Sequence, residues 1–120
     1  MYQLIENISI QRRFVNLESR QVHYRISGAG PVLLLLHQSP TSSAEKATII
    51  EDYANDFTVI APDTPGFGLS DYIETLTPDI TLYAEALKEF IDALGLDQIC
   101  IYGFHTGAII AAEMARLYPD

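Results

Sequence analysis

The run Pro31-Val32-Leu33-Leu34-Leu35-Leu36 is apolar at every position. A strand with one face in water alternates apolar and polar residues. A strand apolar on both faces must be covered on both, which is the situation of a central strand between layers of helices. Thr58-Val59-Ile60-Ala61 and Gln98-Ile99-Cys100-Ile101-Tyr102 have the same character. Helical patterns lie between them. Ser42 or Ser43 is placed to cap a helix running through Tyr53, and Asp79 or Thr81 a longer one in which Leu82, Ala86, Phe90, Ile91 and Leu94 form one apolar stripe and Gly95 supplies the stop. A third pattern covers Ala108 to Leu117. Ahead of all these, Phe14 to Leu17 and Val22 to Ile26 alternate around Glu18-Ser19-Arg20-Gln21, the pattern of an antiparallel hairpin.

The element order is therefore β-β-β-α-β-α-β-α, in which the strands after the hairpin alternate with helices and are expected to pair in parallel. This predicts an α/β fold: a doubly wound, mostly parallel sheet with an N-terminal antiparallel hairpin. With 120 residues, 48% of them hydrophobic, the chain suffices for one domain with a modest core and is too short for two. The stretch Tyr72 to Pro78 is expected to be the least ordered.

Composition excludes several classes of function. A net charge of −9 repels phosphate backbones and anionic membrane surfaces, so neither nucleic acid nor membrane is an expected partner. The apolar run of residues 31–36 is far shorter than the roughly 20 residues that span a bilayer. Met1 to Arg13 lacks the pattern of a signal peptide, and a cytoplasmic protein is expected. Cys100, inside a strand pattern, is expected to be a small buried hydrophobe. His23 reads as a surface or half-buried strand residue, and His37 as an anchor of its loop. No Cys/His/Asp spacing has the form of a metal site.

Three loops follow the carboxyl ends of three parallel strands, the edge where open α/β sheets bind ligands. They are His37-Gln38-Ser39-Pro40-Thr41, the segment from Asp63 to Asp71, and Gly103-Phe104-His105-Thr106-Gly107. The last lies between an apolar strand and a helix, the setting of a nucleophile elbow, with His at its centre instead of Ser. Together with their strands these motifs resemble the α/β-hydrolase family from about Phe14 onward, as the N-terminal half of that fold.

The resemblance implies that the backbone N–H groups of Ser39 and Thr106 would stabilise an oxyanion, that Gly103 and Gly107 shape the elbow, and that His37, Gln38 and Asp63 belong to pocket loops. Gln38 stands where the family has a glycine that normally uses positive φ. Asp63 is expected to hold backbone amides and not to act as an acid. His37 to Ser43 looks like the haloalkane dehalogenase form of its loop. With His105 at the elbow, Ser39 in place of Asn and Thr106 in place of Trp, dehalogenation is not expected.

His105 admits three roles: a nucleophile, since neutral imidazole attacks acyl groups; a noncovalent acid/base or binding group; or a structural replacement that caps the following helix. The family's catalytic acid and general base would follow later strands, beyond Asp120. The expectation is thus a single domain, residues 1–120, forming the N-terminal portion of a longer one and inactive alone. Its open sheet edge would be filled by the missing C-terminal portion or by self-association. The full-length form would hydrolyse a small ester, lactone or related carbonyl substrate without cofactor or metal. The alternatives are a noncatalytic small-molecule-binding protein of the same fold and an assembly fragment that pairs through its edge.

Overall fold

The computed structural model of the protein describes residues 10–18, 20–39, 41–71, 73 and 79–119. Five strands, β1 (Gln11–Asn16), β2 (Gln21–Gly28), β3 (Val32–Leu36), β4 (Thr58–Pro62) and β5 (Ile99–Gly103), form one sheet in the order β1-β2-β4-β3-β5. The hairpin pairs antiparallel, Phe14 opposite His23, and β2 continues antiparallel onto β4. The parallel part is as the alternation of strands and helices requires: β3 lies between β4 and β5, with Leu34 opposite both Ile60 and Ile101. Of residues 72–78, the stretch expected to be least ordered, all but Ile73 lie outside the described residues.

The period of two along β3 and β4 divides the core into two layers. On one face Leu33, Leu35, Val59 and Ala61 meet Ile50 of helix α1 (Ala47–Tyr53). On the other, Leu34, Leu36 and Ile60 join Val22 and Tyr24 of β2 against Ala84, Leu87, Phe90 and Ile91 of α2 (Ile80–Ala93) and Ile110 and Met114 of α3 (Thr106–Leu117). Strand β3, apolar at every position, is covered on both sides.

The caps are resolved in favour of one residue at each helix. Ser42 accepts from the Ala44 N–H and starts a 3-10 turn, Ser43–Lys46, that leads into α1. Asp79 accepts from the Leu82 N–H at 3.0 Å. Thr81 does not cap. Its hydroxyl donates to Glu113 at 2.7 Å and ties α2 to α3.

Two expectations about individual residues fail. Cys100 is exposed, because β5 is an edge strand whose α2/α3 side carries Ile99 and Ile101 while α1 lies over β2 and β4, leaving Cys100 and Tyr102 uncovered among the described residues. An apolar run shows that a strand has two greasy faces, not that both have partners. On the covered side an open groove of about 760 Å³ runs along this edge, lined by Ile91, Ile99, Ile101, Met114 and Leu117. His23, expected near the surface, is 1% exposed, because the end of β4 and the 3-10 turn close over its face of the sheet.

The exposed thiol is directly testable. In dilute native solution a small aromatic disulfide should label Cys100 of the 120-residue chain nearly as fast as it labels the urea-unfolded chain. Protection by more than about a hundredfold would require a covered face.

Candidate active site

The elbow is built by two close approaches. A Cβ on Gly103 would lie 2.4 Å from the Gly107 carbonyl oxygen, and one on Gly107 would lie 2.4 Å from the carbonyl oxygen of Leu36. Strand β5, helix α3 and the end of β3 therefore meet with no room for a side chain at either position. The Phe104 N–H donates to the Leu36 carbonyl at 3.0 Å, fixing the turn against β3. Between the glycines His105 takes φ 53 and ψ −113, the one non-glycine residue with positive φ among the described residues. Such a conformation costs about 1–3 kcal/mol and persists only where the surroundings impose it. Its side chain is exposed and makes no capping hydrogen bond to α3, so the helix-capping role is not the one the structure shows.

The loop after β3 approaches from the other side. The Ser39 N–H donates to Thr106 Oγ1 at 2.9 Å, which brings the two expected oxyanion donors together at the start of α3. His37 is buried: its Nε2 accepts from the Thr64 N–H at 2.9 Å, leaving the Nδ1 proton to bond the Gln38 carbonyl, also at 2.9 Å. That carbonyl additionally accepts from the Thr41 N–H and hydroxyl. Gln38 does not adopt positive φ, so the absence of glycine there causes no strain. Instead its side chain accepts from Lys46 Nζ at 3.2 Å. Lys46 is buried with its ammonium 3.7 Å from the centre of the Phe104 ring, and that ring stacks on Tyr102 at 4.6 Å.

Asp63, at the end of β4, is 1% exposed and accepts four hydrogen bonds. Oδ1 takes the Ser43 N–H (2.8 Å) and hydroxyl (2.6 Å), and Oδ2 takes the Leu69 N–H (3.0 Å) and His23 Nδ1 (2.8 Å). Burial pushes its carboxyl pKa up, but the bonds from Ser43, Leu69 and His23 outweigh this and hold it below the usual carboxylate range. It binds backbone amides, as the sequence suggested, and also a serine hydroxyl and an imidazole. His23 Nε2 is buried and meets no hydrogen-bond partner among the described residues. Asp63 also lies on the wall of a small apolar recess with Leu36, Tyr83, Leu87, Phe90 and Ile110. His37, Gln38 and His105 are not on that wall.

Comparison with known proteins agrees with the fold. The alpha/beta hydrolase fold family matches residues 31–120. The chain belongs to that family. It is 34% identical over 102 residues to an uncharacterized hydrolase of Saccharomyces cerevisiae, covering 83% of this chain and 35% of the yeast protein. It is 34% identical over 105 residues to haloalkane dehalogenase 2 of Mycobacterium tuberculosis, covering 88% of this chain and 37% of that one. The crystal structure of an epoxide hydrolase from Vigna radiata superposes with a TM-score of 0.86 at 26% identity, covering 92% of this chain and 35% of the plant enzyme. The chain thus spans little more than a third of the length of these relatives.

Within this α/β-hydrolase chain, sequence reasoning missed His23, Ser43 and Lys46. No motif spacing marks them, because their partners lie 20 or 40 residues away for Asp63 and across the elbow for Lys46. The one available signal was a charged residue, Lys46, at the end of a cap turn beside apolar Ile49 and Ile50. Among the described residues no group of His, Cys, Asp and Glu has the geometry of a metal site, and no helix is long and apolar enough to cross a membrane.

Asp63→Asn should lower unfolding stability at pH 7 by about 2–4 kcal/mol in urea titrations, since an amide nitrogen would confront donors that now meet a carboxylate oxygen. Because the folded pKa is depressed, the wild-type contribution is complete above about pH 5 and disappears as pH falls below about 4. The variant should show a shallower acid limb, and identical limbs would mean that another carboxylate dominates.

Proposed function

We propose that the protein at its full natural length hydrolyses a small ester, lactone or related carbonyl compound, with His105 as the group that attacks the carbonyl carbon. The observation that supports this reading is the strained, outward-facing His105, held between two glycines with no structural hydrogen bond from its ring to the helix. A conformation imposed at one residue, beside two backbone donors, is how a fold presents a reactive side chain.

An imidazole nitrogen lone pair adds to the carbonyl carbon, and the π electrons pass to the carbonyl oxygen beside the N–H groups of Ser39 and Thr106. One such donor contributes about 3–4 kcal/mol where it has been removed from other hydrolases. Collapse of the adduct breaks the bond to the alkoxide, which takes the proton lost by the imidazole. Water then cleaves the acyl-imidazole and regenerates His105. The dehalogenase and epoxide hydrolase names belong to the relatives that carry them. Displacement of halide from a saturated carbon calls for a carboxylate nucleophile and halide-binding side chains, and His105, Ser39 and Thr106 offer neither.

The second reading, a noncatalytic binder of a small ligand, draws on the same exposed ring, which has no cap to make and is free to meet a ligand. Two measurements separate the readings. His105→Ala should lower kcat on an activated ester by several orders of magnitude, and acid quench of the wild type should leave an acyl group on His105. A loss of only about 10²- to 10⁴-fold without an adduct would make His105 a proton-transfer group instead. No turnover on a panel of esters and lactones, with a silent His105→Ser variant, would leave the binding reading.

A further inference from the structure

One side chain lies between the two backbone donors. The Ser39 N–H does not point into open space but donates to Thr106 Oγ1 at 2.9 Å. The Thr106 N–H, at the first turn of α3, is taken by no backbone carbonyl of the described residues. The hydroxyl oxygen therefore already stands where a substrate oxygen would accept from Ser39. The backbone around it has no slack, because Gly107 is pressed on the Leu36 carbonyl and the Phe104 N–H is bonded to the same oxygen. These contacts hold the start of α3 against the end of β3. Rotation of the Thr106 side chain to another staggered position can clear the corner, at the loss of one hydrogen bond.

We infer that the Thr106 hydroxyl is an internal ligand of the oxyanion corner, which a substrate oxygen must displace. This rests on the hydrolase reading above, in that it takes Ser39 and Thr106 as the oxyanion donors. The consequence is selectivity for charge. A neutral carbonyl oxygen is an acceptor of about the same strength as a hydroxyl and gains little by replacing it. A carboxylate or a tetrahedral oxyanion forms charge-assisted bonds of roughly twice the strength and does replace it. Every oxygen that enters the corner gives up the same one hydrogen bond, which a charged oxygen recovers with a surplus and a neutral one does not.

Acetate tests this as a minimal carboxylate. It is titrated into the protein at its full natural length, with the amide resonances of Ser39 and Thr106 as reporters, at constant pH and ionic strength. Thr106→Val keeps the shape and removes the hydroxyl. It should bind acetate about two- to tenfold more tightly than wild type, the range expected from loss of one competing hydrogen bond. Thr106→Ala, which adds no methyl group in the corner, should show the same gain, and Thr106→Ser should stay within about twofold of wild type. The Ser39 amide should also exchange faster with solvent in the Val and Ala variants. If both bind acetate no better than wild type while the two amides still respond, the hydroxyl is not a competitor and the inference falls with the oxyanion assignment intact. If neither amide responds in any variant, the corner does not take an oxyanion, and the hydrolase reading falls with the inference.

Discussion

The carboxylate of Asp63 is the constraint on which the edge of the sheet depends. A buried charge is unfavourable unless its lone pairs are occupied, and here four donors from three separate segments occupy them: His23 of β2, Ser43 of the turn before α1, and Leu69 of the loop after β4. Further bonds converge on the same place. The Asp63 N–H donates to the His23 carbonyl, and the Ser70 hydroxyl bridges the Asp63 carbonyl and the His23 N–H. The loop from Asp63 to Asp71 is thus bound to the hairpin and to the start of α1. His37, whose Nε2 takes the Thr64 N–H, carries that order to the loop that presents Ser39.

A chain of contacts therefore runs from a structural carboxylate to a candidate reactive centre with no side chain serving as both. His37 bonds the Gln38 carbonyl, Gln38 holds Lys46, Lys46 lies over Phe104, and Phe104 precedes His105. Lys46 is the buried cation of this edge, in a chain whose formal charge is −9. Its position over an aromatic face and beside an amide oxygen compensates part of the hydration it gives up.

The sheet, its parallel centre and the elbow were legible because each is written in contiguous residues: an apolar run, a glycine five positions from an apolar strand, a serine or aspartate ahead of a helical stripe. What was not legible is what depends on neighbours distant in sequence. Cys100 lies in a run as apolar as that of β3, and only the order of strands shows that no helix of the described residues lies over one of its faces. His23 alternates as a surface residue would, yet Asp63, 40 residues later, draws it into the interior. Gln38 looked like a departure from a glycine position, and its side chain has a partner, Lys46, that no local pattern names. The elbow motif located His105, but its φ of 53 and the bond from Ser39 to Thr106 are properties of assembled backbone.

The seating of Gly107 against Leu36 also has a meaning in time. β3 is made early in the chain, whereas the segment that carries the elbow comes after two helices and another strand. The turn at position 105 has local bonds, from the Gly107 N–H to the Phe104 carbonyl and from the Ala108 N–H to the His105 carbonyl, but its seating on β3 joins segments far apart in the chain, and closing so long a loop is entropically unfavourable until the intervening strand and helices have found their places. The outward presentation of the imidazole thus depends on a contact between segments about 70 residues apart in the chain, Leu36 and Gly107, as well as on the local turn.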